Sequence, residues 1–511
     1  MISARPTKGV ISPLRAFLFA LAVSLALAFA IFPGEGGDDV AAAVLMALVT
    51  GSALALYLYL FQPREVSNLL RLAMVGLLLI LWVAAARVFL SLTLPDNDRL
   101  FLSYMLPLAA APMLVATLLD GGLAVAVAVL LAVLATFAGF YGEDARAGLN
   151  ADALDGIQMA SAFTLGSLLG IFTVFRAERM NRYLAAGGVV AVVSFLVLLA
   201  FWLLDGDRQA KDLPLALLST AIGGFLSAVI TVGATVTLGL LFGITTRIQL
   251  MELAQLSHPL LRQLQERAPG TFHHSVIVGN LSERAADLAG ADPLLVRVGC
   301  YFHDIGKVMQ PDFYIENQLG GENPHEKMTP QASAAVVSQH VRTGLELARK
   351  YRLPSRVRAF IPEHHGTRLV TYFFRKASAQ DPSTDPEKFR YPGPRPQAKE
   401  TAIVMLADSV EAVVRSSRDR SPERIDALVD SVIAERVAEG QMDECDLTLR
   451  DLRVVADSFK ATLRGVYHPR IEYPAPSQAE TAVVAGGPHM QPPAEPMDGN
   501  APPLEIERPP S

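Results

Sequence analysis

Residues 303–307 read HDIGK, and the other histidine motifs gather around it: HHS at 273–275, a lone His340, HHGT at 364–367, and then Asp408 within VMLADSVEA. The chain has ten histidines, none before His258, and seven of them fall between His273 and His365. Imidazole and carboxylate suit a mid-row transition metal, and so many in one stretch argue for more than one ion. The runs that carry them, among them SVIVGNLSERAADLAG, PLLVRVGCYFHDIG, PQASAAVVSQHVRTGLELARKY and ETAIVMLADSVEAVVRSS, have helical patterning. No alternating strands, GxGxxG or P-loop interrupt them. The expected second half, residues 273–473, is therefore an all-α domain whose ligands project inward from several helices.

Spacing suggests the chemistry. On a helix the adjacent side chains of His303 and Asp304 diverge by about 100°, yet both can serve one dinuclear centre, because a carboxylate has two oxygens. His364 and His365 form a second adjacent pair, ended by Gly366. His274, His340 and Asp408 come from three further segments. Seven ligands supply three or four to each of two ions. Two divalent ions about 3.5–4 Å apart lower the pKa of a water and neutralise charge on a phosphoryl group, so in-line phosphoester hydrolysis is expected. Lys307, one turn beyond the HD pair, is placed to meet a phosphate oxygen. Asp304 and Lys307 are the candidate catalytic residues; Lys307, Gly366 and Thr367 are the candidate substrate contacts. His273 reads as a neighbour of the ligand His274. His325, in ENPHEKM, reads as structural or as part of a substrate loop, and His258, before Pro259, as a capping or packing residue. His468 and His489 receive no role.

The first half has a different character. At 511 residues the chain holds several domains. Its mean hydropathy of +0.34 is too apolar for an ordinary soluble protein, and 18% charged residues is low. Eight apolar stretches are expected to span a membrane, near 14–32, 40–61, 69–92, 101–119, 122–141, 157–175, 187–204 and 214–242; each is long enough to cross about 30 Å of hydrocarbon as helix. Arg5, Lys8, Arg15, Arg64, Arg176, Arg179, Arg182 and Arg247 fall on one side, and Arg99, Arg146, Arg208 and Lys211 on the other, with the acidic connectors. The bias puts the first set, and the histidine-rich half, in the cytoplasm. The expected plan is an anchor span (1–38), a seven-span domain (39–246), linker helices (247–272), the all-helical domain (273–473) and a disordered tail (474–511) in which ten of 38 residues are proline. The first span reads as an uncleaved anchor, although ALAFA at 26–30 also resembles a signal-peptide cleavage site.

Further features narrow the picture. Arg71 and Arg87 sit near the ends of the third span, where they can snorkel, and Pro107 and Pro112 are candidates to kink the fourth. No span carries the row of acids or histidines that an ion pathway requires. In the junction, Leu250, Leu253, Leu256, Leu260, Leu261 and Leu264 form an apolar stripe that packs on the second half or relays a signal. The loop at 376–399 is too polar and proline-rich for a helix; it either folds over the ligand, with Arg390 and Tyr391 as contacts, or is a surface insertion. Cys300 and Cys445 cannot form a disulfide framework and fit a reducing compartment. The net charge of −6 argues against a DNA or RNA polymer as partner.

HHS, HDIGK, the single His, HHGT and the later Asp resemble the HD-domain metal phosphohydrolases. The longer runs APGTFHHSVIVGNLSERAA, VRVGCYFHDIGKV and RYPGPRPQAKETAIVMLADSVEAVVRSS are similar to the seven-transmembrane HD family of cyclic-di-AMP phosphodiesterases. The resemblance is close over about residues 250–420. It implies hydrolysis of cyclic-di-AMP to 5′-pApA at two divalent ions, iron or manganese, held by His274, His303, Asp304, His340, His364, His365 and Asp408, with Asp304 bridging. One departure stands out. Such proteins usually carry a long extracellular domain after the first span, and here that interval is only PGEGGDD, 33–39. Alternative readings stay open: a cyclic-di-GMP phosphodiesterase, disfavoured because RLVTYFF at 368–374 replaces the GYP run of that group; a one-metal nucleotidase; a nucleotide receptor without turnover; and a transporter with a regulatory domain. The metal, the regulatory signal and homo-oligomerisation are left open.

Overall fold

The computed structural model describes residues 11–31, 37–62, 68–90, 100–140, 153–175, 177, 179–204, 209–318, 320 and 322–467. The basic residues Arg5, Lys8, Arg64, Arg99, Arg146, Arg176 and Arg208, most of the connectors, His468, His489 and the 474–511 tail lie outside them. Among the described residues every named element is helical, and the one β-bridge joins Leu369 to Arg390.

The apolar half folds as helices because a backbone in hydrocarbon must satisfy its own hydrogen bonds. They are α1 (Ile11–Ile31), α2 (Gly37–Phe61), α3 (Leu69–Leu90), α4 (Ala110–Leu118), α5 (Gly121–Phe140), α6 (Ala153–Val174), α7 (Met180–Leu204) and α8 (Asp212–Leu241). Six are long and apolar enough to cross a membrane, α2, α3 and α5–α8. Their outward faces carry large apolar side chains such as Leu45, Leu69, Phe172 and Leu240, as a lipid-facing surface requires. This is a multi-pass membrane protein. Arg71 lies in the first turn of α3, where Asn68 Oδ1 accepts from the Leu70 and Arg71 amides, and Arg87 in its last turn.

The fourth expected span is not one helix. A 3₁₀ segment, Leu100–Met105, is followed by Pro107 and the short α4. Proline has no N–H and cannot continue the ladder. Its own carbonyl accepts from Trp82 Nε1 at 2.9 Å and from the Ala110 amide at 3.1 Å, which ties the break to a neighbouring helix. Pro112 falls within the first turn of α4, where proline is tolerated.

After α8 come two short helices, α9 (Arg247–Leu253) and α10 (Pro259–Arg267), split where the sequence suggests. Thr246 caps the first through the Gln249 amide, and His258 caps the second through the Leu260 amide while its ring packs edge-on to Phe302. Leu250, Leu253, Leu260, Leu261 and Leu264 are buried and Leu256 is exposed. Leu264 packs in a cluster with Ala268 and Val308, and Arg247 lies 3.8 Å from Asp292. The stripe thus packs on the helical domain.

That domain comprises α11 (Pro269–Leu288), α12 (Pro293–Phe302), α13 (Pro330–Lys350), α14 (Ser355–Glu363), α15 (Thr371–Gln380), α16 (Lys399–Ser416), α17 (Pro422–Ala438) and α18 (Leu449–Val466). Proline stands in the first turn of four of them, where its missing N–H costs nothing. α16 is buried almost throughout, from Thr401 to Glu411, and forms the central post. The loop expected at 376–399 is partly helical: Lys376–Gln380 complete α15, whose Phe373 is buried, and Pro386–Phe389 form a 3₁₀ turn. Apolar anchoring by α15 overrides the polarity of its last residues.

Candidate metal centre

Five segments deliver the seven candidate ligands to one place. His274 projects from α11, His340 from α13 and Asp408 from α16. His303 is the C-cap of α12, and Asp304 has already left the helix (φ −110°, ψ 14°) to start the 3₁₀ segment Ile305–Met309. The pair is therefore not spread around a helix; a helix end turns the carboxylate inward. His364 is likewise the C-cap of α14, and Gly366 at φ +55° ends that run. A left-handed residue there favours glycine. A Cβ on Gly366 would also lie 2.4 Å from Gln441 Oε1.

Asp304 sits at the middle. Its Oδ2 faces His303 Nε2 at 3.3 Å and His274 Nε2 at 3.9 Å, while its Oδ1 faces His340 Nε2 at 3.4 Å and His364 Nε2 at 3.6 Å. Asp408 Oδ1 completes the first group, 3.0 Å from His274 Nε2 and 3.8 Å from His303 Nε2. His365 completes the second, its ring 3.9 Å from that of His364. One carboxylate thus gives one oxygen to each of two sets of imidazoles.

The residues fit metal ions on their own terms. His303 Nε2, His340 Nε2, His364 Nε2, His365 Nδ1 and Asp304 Oδ1 are buried without a hydrogen-bond partner. Each such group costs about 1–3 kcal/mol if left alone, so five converging at one point mark a place for cations. The opposite ring nitrogens are fixed: Nδ1 of His303, His340 and His364 donates to the carbonyls of Cys300, Val337 and Phe360 at 2.6, 2.7 and 2.9 Å. A carbonyl can only accept, so Nδ1 carries the proton and the Nε2 lone pair points inward. This outer support is the usual companion of imidazole ligands.

Charge follows the same division. Burial opposes ionisation of Asp304, but Lys307 and His303 outweigh it and hold its pKa well below the usual carboxylate range. Burial raises Asp408, yet the His274 ring at 3.0 Å and the His303 ring at 3.8 Å hold its pKa well below the usual range. Burial works against the His303 imidazolium too, yet Asp304 and Asp408 push its pKa up to about 10. On the other side burial, aided by Lys307 and His364, lowers His340 to about 4, and burial with His364 and His340 drives His365 well below its ordinary value. The carboxylates thus favour positive charge at His303, which a proton or a metal ion can supply, and burial holds His340 and His365 toward the neutral form.

Lys307 is less free than its position in HDIGK suggests. Its ammonium lies 2.7 Å from Asp304 Oδ2 and 2.8 Å from Glu316 Oε1, with the Tyr314 ring 5.1 Å away. Thr367 donates its amide to Gln441 Oε1 and lines a surface pocket. His273 is exposed beside His274. His325 is a structural residue: it is buried, Nε2 donates to the Phe313 carbonyl at 2.9 Å, and its ring packs against Phe313 and Phe373.

Two acids escape a motif reading. Glu411 Oε2 lies 2.7 Å from His274 Nδ1, and Glu316 holds Lys307. Glu411 follows Asp408 by three residues, one helical turn, and that spacing is the signal that finds it. Glu411→Gln, which keeps the shape and removes the charge, is expected to weaken Mn²⁺ binding by about 10–100-fold. A metal titration of the full chain in detergent checks this; an unchanged affinity removes Glu411 from the site.

Comparison with known proteins agrees with this architecture. Residues 39–246 match a family described as 7TM receptor with intracellular HD hydrolase, and residues 271–413 match the HD domain. The cyclic-di-AMP phosphodiesterase PgpH of Bacillus subtilis is 36% identical over 374 residues, 73% of this chain and 52% of that protein. PgpH of Listeria monocytogenes is 33% identical over 425 residues, 83% of this chain and 58% of that protein. The chain therefore spans between half and three-fifths of the length of these relatives. The crystal structure of the L. monocytogenes PgpH HD domain in complex with cyclic-di-AMP is 44% identical, covers 42% of this chain and 100% of that one, and superposes with a TM-score of 0.41. Fold and site together define a multi-pass membrane protein carrying an HD domain with a two-part imidazole–carboxylate centre. The chain belongs to the seven-transmembrane HD family.

Proposed function

We propose that the chain is a membrane-anchored phosphodiesterase that opens cyclic-di-AMP to linear 5′-pApA, lowering a second messenger. The observation that carries the reading is Asp304, which turns one oxygen to His274 and His303 and the other to His340 and His364. Such a carboxylate fits a pair of divalent ions, manganese or iron, which His274, His303 and Asp408 on one side of Asp304 and His340, His364 and His365 on the other would hold together with it. When bound, the ions supply a water of lowered pKa and positive charge for the phosphoryl oxygens. The protein's part is placement. Lys307, itself held by Glu316, holds the Asp304 carboxylate, and Glu411 holds the His274 ring through Nδ1. Water adds to phosphorus, the P–O3′ bond breaks, and the 3′ oxygen leaves with a proton. The adenine preference rests on the likeness to the PgpH proteins. The cytoplasmic side for the HD domain rests on the positions of Arg15, Arg179, Arg182 and Arg247.

The test uses the full chain in detergent, stripped with EDTA and reloaded with Mn²⁺ or, under reducing conditions, Fe²⁺. Cyclic-di-AMP and cyclic-di-GMP are offered side by side and products resolved chromatographically. Metal-dependent pApA is expected, with slower turnover of the guanine form. Tight nucleotide binding without product by the metal-loaded chain would instead make this a receptor.

A further inference from the structure

A pocket of about 560 Å³ opens beside the metal centre, walled by Thr367, Arg390, Tyr391, Arg395, Glu439 and Gln441. Its volume is in the range of small-molecule sites, about 300–1,000 Å³. Its link to the centre is direct: the Tyr391 ring, one wall of the pocket, stacks on the ring of His365 with centroids 4.1 Å apart. The walls are tied to the histidine turn. Arg390 Nη1 donates to the Thr367 carbonyl at 3.0 Å, the Tyr391 amide donates to the Arg368 carbonyl at 2.9 Å, and Gln441 Oε1 accepts from the Thr367 amide at 3.1 Å. The pocket thus keeps a set position relative to His364 and His365.

The walls carry two arginines, Arg390 and Arg395, against two acids, Glu387 and Glu439, and each acid is already paired. Glu439 is engaged from behind by Arg436 Nη1 at 3.0 Å and by Arg368 Nε at 3.7 Å. Glu387 pairs with Arg390 Nε at 2.7 Å, which still leaves that guanidinium donors to spare. Arg395 makes one long contact to Asp443, at 3.5 Å. Guanidinium forks match phosphate geometry.

A cyclic dinucleotide has two phosphates, and only one can be cleaved at a time. We propose that this pocket receives the nucleotide half remote from the scissile bond, with Arg390 and Arg395 binding its phosphate and Tyr391 separating it from the metal ligands. The proposal rests on the phosphodiesterase reading and adds to it a reason for preferring dinucleotides over simple diesters.

The experiment compares two substrates on the full chain loaded with Mn²⁺: cyclic-di-AMP, and bis(p-nitrophenyl) phosphate, a diester with no second phosphate. Arg390→Gln and Arg395→Gln are each expected to lower the ratio of kcat/KM for the dinucleotide to that for the small diester by about tenfold or more, chiefly through KM. An unchanged ratio, whether both activities fall together or neither falls, overturns the pocket. If the wild-type chain cleaves only the small diester, the cyclic-di-AMP reading fails by itself. The pocket is then judged by calorimetric binding of linear pApA: affinity lost in the two variants supports it, and no binding to the wild type overturns it.

Discussion

Asp304→Asn is expected to cost at least about three decades in kcat for phosphodiester hydrolysis, equivalent to roughly 4 kcal/mol of transition-state stabilisation, and to lower the bound metal below two ions per chain. The reason lies in the geometry. Asp304 is the one residue shared by both groups of candidate ligands. Asparagine keeps the size of the side chain but has one oxygen and no charge. It can serve one half of the site at most, and it leaves Lys307 facing Glu316 alone. Elemental analysis of the purified variant, read beside its rate, separates this account from a merely local one. Two ions retained with near-normal turnover would remove Asp304 from its central role. His365→Ala is a useful contrast, since His365 belongs to one group only.

The second large effect is expected at Gly306, a residue with no chemistry of its own. The 3₁₀ segment Ile305–Met309 passes so close to α13 that a Cβ on Gly306 would lie 1.9 Å from the His340 carbonyl and 2.7 Å from the Gly344 amide. Both obstructions are backbone and cannot rotate away. Gly306→Ala must therefore push the segment that follows Asp304 off the helix that carries His340, widening one side of the centre. A misplacement of about 1 Å is worth about 100-fold in rate, and overpacking of this kind costs about 1–3 kcal/mol of stability. Gly344→Ala supplies the control. Its Cβ would meet the Ile361 Cγ2 at 3.0 Å and the Gly306 amide at 3.4 Å, a milder conflict with a side chain that can shift. Thermal denaturation and kcat should both rank wild type, Gly344→Ala, Gly306→Ala in descending order. Equal behaviour of the two variants would show that the close approach does not matter.

Much of this centre is legible in the order of residues. Imidazoles and carboxylates are scarce enough that a cluster of them in a helical, largely apolar stretch points to metal ligation before anything else. The helix ends are legible as well, because Gly366 and the prolines at positions 269, 293 and 330 have narrow backbone preferences. The partners that hold the ligands were harder to find. Glu316 belongs to no motif, and it meets Lys307 and Thr271 only because the segment around Pro311–Asn317 folds back over the start of α11. The same limit applies to the fourth apolar stretch. Its run of apolar residues looks like that of its neighbours, and the contact that ties the break at Pro107 to Trp82, 25 residues earlier, is between elements apart in sequence.

Composition and local spacing alone therefore determined the membrane half, the all-helical second half and the seven candidate residues of the centre, since hydrophobic run length, helix period and ligand chemistry are properties of short stretches of chain. The tertiary structure decided which oxygen of Asp304 faces which histidines, that the Lys307 ammonium is held by two carboxylates, and that Tyr391 and Arg390 return to wall a pocket beside His365. Those are distances between residues far apart in sequence. Packing against a common core sets them, and no local preference encodes them.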